Sequence, residues 1–234
     1  MKQYQNQESG RVRLSFQPLG FQSEGTSIDR ILPTYEDTRN VFVINGSRVL
    51  PVENTLSVLR GINEVIGGGL NVNQEQNYTL VDHLVNESFN HSRGQVNLHE
   101  MMARMVCIPK LHQEMADTRK VILLDEDLYA PGLEYTYGVQ FPYTRDNRYA
   151  IISTARLADE VHANYVISHE LGHLFGAPDR NRPDVFESRG YHCSDPSCIM
   201  TQDLSGRSSF EQAFEAYMKG FGYCNNCKED IRRS

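Results

Sequence analysis

The stretch His169-Glu170-Leu171-Gly172-His173-Leu174-Phe175-Gly176-Ala177-Pro178-Asp179 decides how this chain is read. Residues four apart share one face of an α-helix, so a helix here aims His169 and His173 at a single metal ion and sets Glu170 beside its open position. Zinc lowers the pKa of a bound water from ~15.7 toward about 7, and a neighbouring carboxylate can take the water's proton and pass it to a leaving amine. The pentad alone recurs by chance, and a solvated helix with two surface histidines is the bland alternative. Context argues for the site: Val161, Tyr165, Val166 and Leu174 place apolar side chains at helical spacing, and Gly176 with Pro178 is a helix stop. The spacing predicts a helix from about Ala158 to Phe175.

Working outward, 234 residues at 39% hydrophobic content are enough for one sizeable core. One domain is expected over 1–234, with residues 1–10 disordered and 190–234 forming a C-terminal part. A formal charge of -7 without a Lys/Arg cluster argues against nucleic acid or an anionic membrane as partner and leaves peptides or proteins. No apolar run reaches the ~18 residues of a membrane span, and the start MKQYQNQESG lacks the apolar core of a secretory signal, so a cytoplasmic location is expected.

The remaining patterns predict an α/β fold with a mixed sheet. Val12 to Phe16 reads as a strand, and Val41 to Ile44 as a strand entering a hairpin through Asn45-Gly46 that resumes at Val49-Leu50. Leu56, Leu59, Ile62 and Ile66 recur at helical spacing ahead of Gly67-Gly68-Gly69, and a second helix fits Val96 to Val106. Val121 to Leu124 is fully apolar, the mark of a buried central strand. Tyr137 to Phe141 and Tyr149 to Thr154 read as further strands, and Phe210 to Lys219 as a C-terminal helix.

Four of the five cysteines cluster near the C-terminus. Cys193-x4-Cys198 and Cys224-x2-Cys227 are two pairs at spacings suited to a tetrahedral four-cysteine zinc site, which would be structural because every ligand position is filled. Two disulfides are the alternative, disfavoured by the absence of a secretory signal. Cys107, within an apolar stretch, reads as a small buried hydrophobe.

Between the two constellations lies Met200, in Cys198-Ile199-Met200. A helix bearing H-E-x-x-H-x-x-G followed by a C-x-M turn resembles the metzincin arrangement, in which a methionine turn lies beneath the zinc. The order of parts narrows this to a resemblance to the archaemetzincin family, with a pattern similar to H-E-x-x-H-x-x-G-x-x-H-C-x4-C-x-M followed by C-x-x-C. Leu124 to Tyr129, Gly138, Ile151 to Leu157 and Asn90 to Gln95 also look like stretches of that family, so the resemblance spans about 75–230. It implies a metzincin-like α/β fold with a mixed twisted sheet and a small C-terminal subdomain, two Zn2+ ions per chain (one catalytic, one structural), and peptide hydrolysis. It also implies that the strand Tyr149 to Thr154 forms the cleft's upper edge, pairing with an extended substrate.

The match breaks at one place. The family pattern puts the third ligand His three residues after the helix-ending Gly and directly before the first structural Cys, whereas this chain has Asp179 there and His-Cys only at His192-Cys193. Either Asp179 is the third ligand, or 180–191 is an insertion and His192 keeps the role. His192 is favoured because Cys193, Cys198 and Met200 hold the family spacing relative to it, and an inserted polar loop costs little closure entropy. Gly172, in the helix interior, would cost roughly 1 kcal/mol against Ala, which points to a close packing partner.

The expected activity is therefore that of a zinc metallopeptidase, amino- or endopeptidase unresolved, with His169, His173 and His192 as metal ligands, Glu170 as catalytic base and acid, and Cys193, Cys198, Cys224 and Cys227 around the second zinc. The rival is a zinc-stabilised binding or structural protein without turnover, its cleft covered by the 180–191 loop. Glu170 favours the enzyme, since a structural metal needs no base beside it.

Overall fold

The computed structural model of the protein describes residues 39–112, 118–142, 148–186, 191–201, 214–215, 217–218, 220 and 222–234. The strand expected at Val12 to Phe16 and the disorder expected over 1–10 lie outside the described residues, as does most of the helix expected over Phe210 to Lys219, of which Phe214, Glu215, Tyr217 and Met218 are helical.

Five strands form the main sheet in the order β2-β1-β5-β8-β7. β1 (Asn40–Asn45), β2 (Asn71–Gln76), β5 (Arg119–Leu124) and β8 (Arg148–Ser153) run parallel, and β7 (Gly138–Pro142) closes one edge antiparallel to β8. β5 is central and buried along its whole length. Its aliphatic run Val121 to Leu124 is fully buried, each side chain contributing about 1.5–3 kcal/mol relative to exposure.

Alternate residues of these strands face two apolar layers, as the two-residue period of a strand requires. Val41, Val43, Val121, Leu123, Ala150 and Ile152 pack with α1 (Val52–Val65) and α5 (Glu160–Leu174), and with Cys193, Cys198, Met200 and Ile231. Ile44, Ile122, Leu124, Tyr149 and Ile151 pack on the other face with α2 (Tyr78–Ser88), α3 (Leu98–Met105) and Leu111 of the short α4 (Pro109–His112). A three-stranded sheet of β3 (Phe89–Asn90), β4 (Gln95–Asn97) and β6 (Leu128–Tyr129) lies between α2 and β7 in the chain. β9 (Val185–Phe186) pairs with β10 (His192–Cys193), and α6 (Asn225–Arg232) follows.

Three expectations are corrected. The segment after β1 is no hairpin: β1 pairs parallel on both sides, and the Asn45-Gly46 signal serves other ends. Asn45 Oδ1 accepts from Ser47 N, and a Cβ on Gly46 would lie 2.5 Å from Val81, so glycine is needed there for close packing against α2. Second, the strand at Tyr149 to Thr154 is not an edge. β8 is paired on both sides, and among the described residues β7 is the edge strand next to it. Third, Cys107 is exposed rather than buried, just past the end of α3. β2 and α2 were not expected at all. The helix expected over Val96 to Val106 begins at Leu98, after β4.

No helix among the described residues is long and apolar enough to cross a membrane.

Candidate metal centres

α5 starts at an N-cap, Asp159, whose side chain accepts from His162 N at 2.8 Å, an arrangement worth about 1 kcal/mol to a helix. It is apolar on most sides because it lies between the sheet and the C-terminal segments. One turn apart on it, His169 and His173 bring their Nε2 atoms to 3.1 Å from each other. That is close to the edge of a zinc tetrahedron, about 3.3 Å for Zn–N bonds of about 2.0–2.1 Å. Each ring is oriented by a main-chain carbonyl. His169 Nδ1 donates to Ile199 O at 2.7 Å and His173 Nδ1 to Ala177 O at 3.0 Å, which leaves both Nε2 lone pairs facing inward.

His192 comes from β10 and completes the group: the ligand atoms of His169, His173 and His192 all lie within 4.8 Å of one another. Its ring stacks on that of His169 at 5.2 Å between centroids and meets His173 edge-on at 5.0 Å. Burial lowers the pKa of both His169 and His173, and for His173 the neighbouring His169 and His192 lower it further. Both shifts favour the neutral imidazole, the form that binds metal. Glu170 is buried beside them, and burial pushes its carboxyl up to about 8. Its neighbour is the edge strand: a Cβ on Gly138 would lie 2.7 Å from Glu170 Cδ, so only a glycine at the start of β7 lets the carboxylate in.

Asp179 is not in this group. Its Oδ1 accepts from Asn181 N at 2.9 Å and Asn181 Nδ2 at 3.0 Å, the form of an Asx turn, and its N–H donates to Asp230 Oδ2 at 3.0 Å. His162 is likewise apart, its ring against Tyr137 and Phe214. His83, His91 and His99 belong to no metal-binding group among the described residues.

Cys193, Cys198, Cys224 and Cys227 form the second group, their Sγ atoms all within 4.8 Å of one another. The 3.8 Å between Cys193 Sγ and Cys224 Sγ matches the edge of a tetrahedron with Zn–S bonds of about 2.3 Å, roughly 3.8 Å, and is far from a disulfide's ~2.05 Å. Main-chain N–H groups point at the sulfurs: Met200 N and Cys224 N donate to Cys198 Sγ at 3.4 and 3.3 Å, and Cys227 N to Cys224 Sγ at 3.5 Å. Without metal, hydrogen bonds from Cys198 and Cys227 hold the Cys193 thiol well below its usual pKa, while the same bonds push those two donors up. Both groups therefore fit a zinc ion in donor chemistry and spacing.

The turn at Met200 joins the two groups. Met200 is fully buried beneath α5, and a side chain on Gly172 would collide with its sulfur and, at 2.8 Å, with Tyr223 Cε1. These are the packing partners that the glycine in mid-helix announced. Tyr223 also donates from its hydroxyl to Ser168 O at 2.5 Å. Cys193 N donates to Met200 O at 2.9 Å, and Ile199, between Cys198 and Met200, supplies the carbonyl that orients His169. Neither this carbonyl nor that of Ala177 carries a sequence signal, because any residue presents the same oxygen.

No family model matches the chain. In sequence it is 33% identical over 119 residues to the archaemetzincin of Methanopyrus kandleri, covering 48% of this chain and 54% of that protein. It is 30% identical over 116 residues to the archaemetzincin of Pyrobaculum aerophilum, covering 48% and 60%. The chain thus spans about half the length of the curated relatives it matches. In structure it is similar to a zinc-dependent peptidase from Methanocorpusculum labreanum, with TM-score 0.53 and 21% identity over 82% of this chain and 99% of that one. The archaemetzincin of Methanopyrus kandleri gives TM-score 0.51 and 22% identity over 83% and 93%. The sequence comparison bears out the resemblance to archaemetzincins, and the structural one shows the mixed α/β fold.

Proposed function

We propose that the chain is a zinc-dependent peptidase, with His169, His173 and His192 holding the catalytic ion and Cys193, Cys198, Cys224 and Cys227 a second, structural one. The observation that carries the reading is the convergence of three imidazoles with a buried carboxyl group one residue from the first of them. Three protein donors leave a fourth position for water, whereas four thiolates leave none. Asp179 is set aside as third ligand because the donor group that converges with His169 and His173 contains His192 and not Asp179.

Zinc, when bound, supplies Lewis-acid polarisation of a water and of the scissile carbonyl. Glu170, in its ionised form, would take a proton from the attacking water as the water's oxygen adds to the carbonyl carbon, and would deliver it to the amine nitrogen as the C–N bond breaks. The Ile199 and Ala177 carbonyls keep the two helix histidines in the ligating tautomer throughout. Substrate lies along β7, whose outer side has no partner strand among the described residues and which begins at Gly138 against Glu170. An extended peptide can add there by main-chain hydrogen bonds.

The test combines elemental analysis with peptide-library cleavage. The wild type is expected to carry two zinc ions and to cut peptides, and Glu170→Ala to keep both ions while losing about 10²–10⁴-fold in rate. A two-zinc protein that cuts no library peptide would assign the chain to the binding class instead.

A further inference from the structure

The described residues 180–186, in the segment where the chain departs from the family spacing, reach the cysteine group through Arg182. Its side chain is only 14% exposed, and Nη2 donates to both Cys193 Sγ and Cys227 Sγ at 3.6 Å. Two carboxylates flank the rest of the guanidinium: Nη1 donates to Asp230 Oδ2 at 2.7 Å, while Nε faces Asp184 Oδ1 at 3.1 Å as an ion pair without hydrogen-bond geometry. Each carboxylate is itself anchored. Asp230, on α6, accepts from Asp179 N at 3.0 Å, and Asp184 accepts from Asn226 Nδ2 at 3.1 Å. Asp184 O also accepts from Ser194 N at 2.9 Å, beside the β9–β10 pairing.

We propose that Arg182 is a positioning residue of the cysteine metal site, one that stabilises its metal-loaded state by donating to two of the four sulfurs and offsetting part of their charge. This rests on the reading of the four cysteines as a zinc site. Four thiolates around a dication carry a net charge of two minus, which is costly to bury without donors aimed at the sulfurs. Backbone N–H groups already serve Cys198 and Cys224 and, from Asp195, Cys193; Arg182 adds a second donor to Cys193 and a donor to Cys227, so every sulfur has one. A guanidinium suits the place better than an ammonium. Its fork is planar, so two edges can be held by Asp184 and Asp230 while the third faces the sulfurs. Arg182 and Asp184 thereby form an added wall of the cysteine site.

Cobalt(II) binding tests this, since thiolate-to-cobalt charge-transfer absorption reports only the cysteine site. Cobalt is titrated against a competing chelator into full-length wild type, Arg182→Gln and Arg182→Lys, with circular dichroism as the check on folding. Arg182→Gln is expected to weaken cobalt at the cysteine site about 10–100-fold, the usual cost of removing a group that supports metal ligands, and to leave the histidine site within about twofold. Arg182→Lys, which keeps the charge and loses the fork, should fall between, and carries the test if the glutamine variant does not fold. Wild-type affinity in the variants overturns the proposal. So does equal weakening at both sites, which would make Arg182 a residue of the fold alone. Wild type without the charge-transfer band overturns the four-cysteine reading beneath it, a failure visible before any variant is made.

Discussion

The histidine group and the cysteine group are both sets of donors at the spacing of a zinc tetrahedron, yet their surroundings differ in every respect that matters for chemistry. The histidine group has three imidazole donors, two of them oriented by the carbonyls of Ile199 and Ala177, and a buried carboxyl group beside an edge strand. The cysteine group has four donors, each sulfur met by N–H groups, and an arginine fork behind two of them. On the proposed reading, one leaves a coordination position and a base free and the other is closed. The donors are similar in count, so the second layer of contacts is what separates a reactive centre from a staple.

The comparison breaks most severely at Cys198, whose neighbour Ile199 orients His169. Cys198→Ser is expected to lose the cysteine-bound metal and with it several kcal/mol of stability, because metal affinity at such sites is folding energy. Elemental analysis and calorimetry should also show weakened zinc at the histidine site; an unaffected histidine site would show the two groups to be independent. Glu170→Gln tests the other side. Activity should fall about 10²–10⁴-fold with melting temperature and both metals kept, which peptide cleavage and elemental analysis together would reveal.

A smaller effect is expected at Gly172. An alanine there gains roughly 1 kcal/mol of helix propensity but meets Met200 and Tyr223, and overpacking of this kind costs about 1–3 kcal/mol. Thermal unfolding should register a net loss, and Gly172→Ala combined with a smaller side chain at 200 should recover it. A stabilised single variant would mean that the turn beneath α5 is looser than its geometry indicates.

The smallest effect belongs to neither metal group. Burial tends to raise the Asp125 pKa, but hydrogen bonds from Ser47 Oγ, Arg48 N and Thr154 Oγ1 outweigh it and the net shift is downward. A carboxyl whose folded pKa lies below its unfolded one stabilises the fold above the unfolded value, and that contribution is lost as pH falls through the folded value. Stability measured across the acid range should therefore fall less steeply for Asp125→Asn than for wild type. An unchanged acid limb would place the acid sensitivity elsewhere, in the histidine group above all.

What the sequence disclosed followed from local spacing. The helix period sets His169, Glu170 and His173, the cysteine intervals mark the second group, and the unbroken apolar run Val121 to Leu124 marks the central strand. Where a contact is distant in sequence, no local pattern reports it. β2, Asn-Val-Asn-Gln-Glu-Gln, is a polar edge strand with little apolar alternation to betray it. Gly46 resembles a hairpin signal although its need for glycine comes from Val81, thirty-five residues on. The true edge strand, β7, is set by an antiparallel return that β8's own residues do not encode. Arg182 reads as one more polar loop residue until the fold brings Cys193, Cys227 and Asp230 around it.

The central claim is that His192, and not Asp179, completes the reactive centre. Zinc content of His192→Ala and Asp179→Ala, measured by elemental analysis on folded protein, tests it most directly. The account predicts one zinc per chain for His192→Ala and two for Asp179→Ala. The reverse pattern, one zinc without Asp179 and two without His192, would contradict it.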